Sequence, residues 1–178
     1  MSIKIDLANQ VRQTALPKWK PLLPLFEAVI NSFQAIKDAN LPIGTSGRVT
    51  IEVERERALF DQENAPIIGF SILDNGIGLD DYNFDSFNTA FSSKKKAIGG
   101  KGLGRFTWLK AFNLVHIRSV FLDDDDVYQV REFDFDQNYD LDERGLPNAT
   151  EARASGTTIE LKNLHNEYKD QVPHRVKY

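Results

Sequence analysis

The sequence predicts an α+β fold, a two-layer sandwich with helices on one face of a mixed, mostly antiparallel sheet. Three observations carry this expectation. Residues 22–39 repeat apolar side chains every three or four positions, the period of a helix with one buried face. Several stretches of strand length alternate apolar and polar residues or run apolar throughout. The strands after residue 113 follow one another through short turns, so they pair antiparallel.

Each element has its own local reason. Residues 3–16 give mixed signals, a strand followed by a helical turn, and Pro17, Pro21 and Pro24 punctuate the entry to the long helix. In that helix Leu25, Phe26, Val29, Ile30, Phe33 and Ile36 define one apolar face, and Asn40, Pro42 and Gly44 end it. Residues 48–54 alternate as a half-buried strand does, and 67–73 are continuously apolar, as in a strand central to its sheet. Asp-Asn-Gly-Ile-Gly then turns the chain abruptly into short helices over 79–93. A glycine- and lysine-rich loop, 94–104, leads to a helix over 105–112. Strands at 114–121 and 127–135 flank four adjacent aspartates, Asp123 to Asp126, which read as a solvated hairpin tip. Residues 136–155 are polar and turn-rich, 157–162 alternate as a last strand, and a polar helix start or tail follows residue 164.

Composition narrows the chemistry. The 178 residues suit a single domain large enough to bury a core without staples. There is no cysteine, which excludes disulfides, thiolate nucleophiles and zinc–thiolate sites. The three histidines, His116, His165 and His174, are scattered, which argues against a multi-histidine metal centre or a serine–histidine hydrolase. Net charge is -4, against wholesale coating of nucleic acid. No apolar run approaches the ~20 residues that span a bilayer, and the first residues do not read as a signal peptide, so a cytoplasmic protein without membrane partners is expected. Within this acidic chain, Gly76, Gly78, Gly99, Gly100, Gly102 and Gly104 fall in one window, and Lys94, Lys95, Lys96, Lys101 and Arg105 cluster there with no acidic residue between 91 and 105.

Four constellations carry possible chemistry. Glu27 and Asn31, four apart on the long helix, share a face. A carboxylate and an amide among apolar neighbours suit a held water near a metal, although a solvated pair at the helix edge has the same spacing. Asp74 ends an apolar strand in Asp-Asn-Gly-Ile-Gly, where it can accept a hydrogen bond from an exocyclic amine while Gly76 and Gly78 let the backbone approach a flat ligand. An ordinary hairpin would use the same Asn-Gly pair, but no partner strand follows. Gly99 to Phe106 place alternating glycines, Lys101 and Arg105 at a helix start, good chemistry for polyphosphate. The loop matches neither the P-loop nor the dinucleotide fingerprint. Finally, Gly156-Thr157-Thr158 precede the last strand and offer a hydroxyl beside a close backbone.

In this order, Glu-x-x-x-Asn, Asp-x-Gly-x-Gly, a glycine loop opening a helix and Gly-Thr before a late strand, the set resembles the GHKL ATPases: the ATP-binding part of DNA gyrase, the heat-shock chaperones, sensor histidine kinases and MutL-type proteins. The resemblance spans roughly residues 22–161 and implies the Bergerat ATP-binding sandwich. It implies that Glu27 is the general base, that Asn31 holds Mg²⁺, and that Asp74 reads adenine with Gly76 and Gly78 beside the base. Lys94, Gly100, Lys101, Gly102, Leu103, Gly104 and Arg105 would hold the phosphates of ATP and form its lid. Thr157, or Thr158, would stand near the adenine. Gln34 departs from the aspartate many relatives carry three residues after the asparagine. The implied function is Mg²⁺-dependent ATP hydrolysis with nucleotide-driven lid closure. Two alternatives are a nucleotide-gated module that forms an ATP-dependent homodimer with little hydrolysis, and the catalytic domain of a histidine kinase. Relatives of the hydrolysing branches carry a later domain with a lysine for the γ-phosphate, so the 178 residues are expected to be the N-terminal module of a longer protein.

Overall fold

The computed structural model describes residues 7–60, 64–88, 104–139 and 145–172. The described chain is an α+β two-layer sandwich. Six strands, β1 (Val49–Arg55), β2 (Ile67–Asp74), β3 (Phe112–Leu122), β4 (Tyr128–Phe135), β5 (Asn148–Ala149) and β6 (Gly156–Leu164), form one sheet in the order β1-β2-β6-β3-β4-β5. Every pairing between these strands is antiparallel, in keeping with the mostly antiparallel sheet expected. The continuously apolar β2 is interior but stands next to the edge, and β6 and β3 occupy the middle. The helices are α1 (Leu7–Gln13), α2 (Leu23–Asp38), α3 (Asp81–Asn88), α4 (Gly104–Ala111) and the short α5 (Asn166–Lys169).

The register stacks inward-facing side chains into three rows across the sheet. Phe70, Leu161, Val115 and Phe135 form the first, and Ile72, Ile159, Ile117 and Phe133 the second. Both rows are buried against the helices, and each such side chain contributes roughly 1.5–3 kcal/mol of hydrophobic stabilisation. The third row, Asp74, Thr157, Ser119 and Arg131, is polar and equally buried. It lies where β2 runs out into the glycine turn. The opposite face of the sheet carries charge, including His116 with Asp134 at 2.7 Å and Lys162 with Glu160 at 2.7 Å. Exposed pairs of this kind contribute little stability, and they mark the face as solvated.

The long helix appears where its periodicity places it, with Pro24 in its first turn. Its buried face is only partly the expected one: Ile36 is buried and Leu25 and Val29 pack against the core. Pro24, Ala28, Ser32 and Ile36 point inward, while Phe26, Ile30 and Phe33 are 56%, 59% and 42% exposed. Residues four apart lie above one another, so the small side chains Ala28 and Ser32 let α2 lie close to the sheet while the larger apolar stripe turns outward. Trp108 locks α4 onto α2, its indole N–H donating to the carbonyl of Pro24 at 3.0 Å.

The turn after β2 is fixed to α2 by Ile77 N–H, which donates to Ala35 C=O at 3.1 Å. Asn75 staples it to the segment before β1, accepting from Arg48 N–H at 2.7 Å and donating to Ser46 C=O at 2.8 Å. At Gly76 a Cβ would stand 2.5–2.8 Å from the Ala35 carbonyl carbon, the Ala35 Cβ and the Ile36 nitrogen. Gly76→Ala should therefore lower the urea midpoint by the equivalent of about 1–3 kcal/mol, because the helix must retreat. An unchanged midpoint would show that α2 can move away freely.

Candidate functional site

The polar row and the helices above it bring together residues far apart in sequence. Asp74 is 4% exposed and points into the helix layer. Its Oδ1 accepts from Gly76 N–H at 2.9 Å, and the Thr157 N–H also bonds the carboxylate. Burial pushes its pKa up, and these two N–H groups and the nearby Ser32 hydroxyl oppose the shift. No cation among the described residues pairs with it. The Ser32 Oγ is buried without a hydrogen-bond partner of normal length among those residues. A buried carboxylate without a cation is costly in a core, and such sites are enriched in ligand recognition.

Thr157 faces Asp74 directly across the β2–β6 ladder, and its Oγ1 lies 2.8 Å from Ser119 Oγ. Of the two threonines, Thr157 is the one that faces Asp74. Thr158 points to the open face of the sheet, where it lines a groove of about 290 Å³ with Arg48, Leu73 and Arg118. That groove lies behind the Asp74 backbone, away from the carboxylate.

Gly78 adopts φ +84°, a conformation that favours glycine, and a Cβ there would strike the Val120 carbonyl and stand 2.9 Å from the Phe121 Cβ. Gly156 is pressed against the Asp74 carbonyl in the same way. At both positions the absent side chain lets backbone pack directly on backbone.

Glu27 and Asn31 are half-buried on one flank of α2. The Glu27 carboxyl lies against Gly104, the first residue of α4, so any side chain at 104 would collide with it. Residues 77 apart in sequence meet here, the expected base and the end of the glycine loop. Burial raises the Glu27 pKa, as suits a group that must take a proton near neutral pH. Gln34 lies on the outer flank, donating to Asp38 Oδ1 at 2.6 Å, and takes no part in the site.

Arg105 is placed differently from a free phosphate ligand. Its guanidinium lies 5.3 Å from the Phe87 ring centre and 5.1 Å from that of Phe106, and burial lowers its pKa to about 10. Lys94, Gly100, Lys101, Gly102 and Leu103 lie outside the described residues.

Among the described residues no three His, Cys, Asp or Glu side chains are grouped so as to hold a metal ion by themselves. Asn31, the residue expected to hold a metal, stands one turn along α2 from Glu27. One protein oxygen suits Mg²⁺, which keeps several waters and takes phosphate oxygens.

Three participants escape a reading of motifs: Ser32, Ser119 and Arg131. Ser119 and Arg131 do carry a sequence signal. Ser119 interrupts the inward-facing series Val115, Ile117, Phe121, and Arg131 heads the series Phe133, Phe135. Arg131 is 2% exposed and donates to Leu79 C=O at 3.1 Å, to Gly145 C=O, and to Asp81 Oδ1 at 2.6 Å. Its guanidinium also stacks 4.1 Å from the Phe84 ring centre. It thereby fastens the exit of the glycine turn and the start of α3 to the sheet.

No family model matches the chain, and no curated protein matches it in sequence. No helix among the described residues is long and apolar enough to cross a membrane.

Proposed function

We propose that this chain is a GHKL-type ATPase domain that binds ATP with Mg²⁺ and hydrolyses its γ-phosphate. The observation that carries the reading is the buried Asp74 carboxylate, without a cation among the described residues, with Thr157 opposite it and the buried Ser32 hydroxyl beside it. A buried carboxyl oxygen in such a place accepts a hydrogen bond from a neutral donor, and the adenine amine is such a donor. Farther along α2, Glu27 would take the proton of the attacking water, and the Asn31 amide would hold Mg²⁺, which neutralises charge on the phosphates. The glycine and lysine loop that ends at Gly104 would surround the triphosphate with N–H groups and positive charge.

Phosphate release from ATP tests the chemistry. Turnover should require Mg²⁺ and fall to background in excess EDTA, with Mg²⁺ restoring it. Equal release with and without the metal would contradict the role assigned to Asn31.

The outward stripe Phe26, Ile30 and Phe33 favours a second reading, a nucleotide-gated interaction module with little hydrolysis of its own. Sedimentation with and without a non-hydrolysable analogue separates the two. ATP-dependent dimerisation without phosphate release would favour the second.

A further inference from the structure

The groove behind Asp74 opens on the face of the sheet away from the helices, and the hydrolysis reading does not use it. Leu73, Thr158 and Arg118 stand in one row there, set by the registers of β2, β6 and β3. Arg48 lines the same groove, and Asn75 pins its backbone, accepting from the Arg48 N–H at 2.7 Å. Val120 lies two residues past Arg118, on the same side of β3. It is only 6% exposed, and Ser155 stands beside it in the lining. The result is a groove of about 290 Å³ with apolar side chains, two hydroxyls and two guanidinium groups.

Charge in this groove is unbalanced. Elsewhere on the open face cations sit beside carboxylates, Lys162 with Glu160 and His116 with Asp134 and Glu132. In the groove, Glu132 meets Arg118 from the β4 side, 3.6 Å from its Nε, and leaves the other N–H groups of that guanidinium to solvent. The Arg48 side chain is exposed, and its guanidinium has no partner among the described residues. Asp74 is the one acidic residue among the described residues of the lining, and its carboxylate faces the helix layer. An acidic chain of net charge -4 thus gathers two arginines where no carboxylate enters. A guanidinium offers a planar fork of N–H donors that matches a carboxylate or a phosphate through two parallel hydrogen bonds. Leu73 is 49% exposed and offers apolar contact beside them. The volume stands at the small end of ligand pockets, ~300–1,000 Å³, too small for a nucleotide.

We propose that this groove is a second binding site, which takes a small ligand built of an apolar body and one oxyanion group, a carboxylate or a phosphate. It lies across the sheet from the Asp74 carboxylate, so it stands or falls separately from the nucleotide reading. Amide shifts in ¹⁵N spectra of the full chain, followed during titration with phenyl phosphate, benzoate or benzyl alcohol, provide the test. Either or both anions should saturably shift the amides of Leu73, Asn75, Ser155 and Thr158, and whichever binds tighter names the oxyanion. Benzyl alcohol, with the same ring and no charge, should bind at least about 10-fold more weakly, as loss of a charged hydrogen bond requires. Arg48→Gln and Arg118→Gln should each weaken the anion by about 10-fold, and Arg48→Lys should recover only part of the loss, since it restores charge without the fork. Three results would overturn the proposal: no shifts in the groove with either anion, equal binding of the alcohol, or unchanged affinity in both glutamine variants. Anion shifts confined to the helix side of the sheet, around Glu27 and Gly76, would overturn it as well.

Discussion

Glu27→Gln is expected to bind ATP as tightly as the unaltered chain and to hydrolyse it at least about 100-fold more slowly, the lower range for loss of a general base. The glutamine keeps the volume pressed against Gly104, so the junction of α2 and α4 stays as it is. It lacks the lone-pair basicity needed to take a proton from water. The same substitution removes a carboxyl whose charged form is disfavoured by burial, so the variant should be no less stable than the parent. Phosphate release under single-turnover conditions, with ATP affinity measured alongside, checks both halves. Unchanged turnover would remove Glu27 from the chemistry, and parallel loss of binding and turnover would make it a binding residue.

Asp74→Asn should have opposite effects on stability and binding. Burial raises the Asp74 pKa above its ordinary value of 3.8, so the folded state holds this proton more tightly than the unfolded chain. The contribution to stability is therefore fully present below the unfolded value and is lost as pH rises through the folded one. Asparagine carries no charge to bury, and its amide oxygen can still accept from Gly76 N–H. The variant should melt higher than the parent at pH 7, with the difference shrinking as the pH falls toward ~4. ATP should cease to raise its melting temperature, because an amide facing the adenine amine opposes donor to donor. A variant that melts lower at every pH would mean that the carboxylate stabilises the fold and is not held there for a ligand.

The parts legible in the sequence are those whose meaning is local. Asp74 ends an apolar strand in a glycine turn, and Glu27 and Asn31 share a helical face, so four or five neighbouring residues suffice to mark each. The strands β1, β2, β3, β4 and β6 are legible for the same reason. The buried face of α2 is not, because its largest apolar residues, Phe26, Ile30 and Phe33, do not line the core. Hydrophobic periodicity records where apolar side chains recur, and cannot tell a stripe packed on the sheet from one turned to the outside. Ser119 and Arg131 escape because their roles arise from register: only the β6–β3–β4 ladder places them in line with Thr157 and Asp74. The two residues of β5 are too few for any periodicity, and α1 lies where strand and helix signals mix.

The central claim is that the buried Asp74 carboxylate exists to read an adenine nucleotide. Calorimetric titration of ATP with Mg²⁺ into the unaltered chain and into Asp74→Asn tests it most directly. The prediction is a saturable, one-to-one isotherm for the unaltered chain and an affinity about 100-fold weaker for a folded Asp74→Asn, as loss of a charged hydrogen bond and its replacement by a repulsive one require. Equal affinity in the two proteins, or no binding by the unaltered chain, would contradict it.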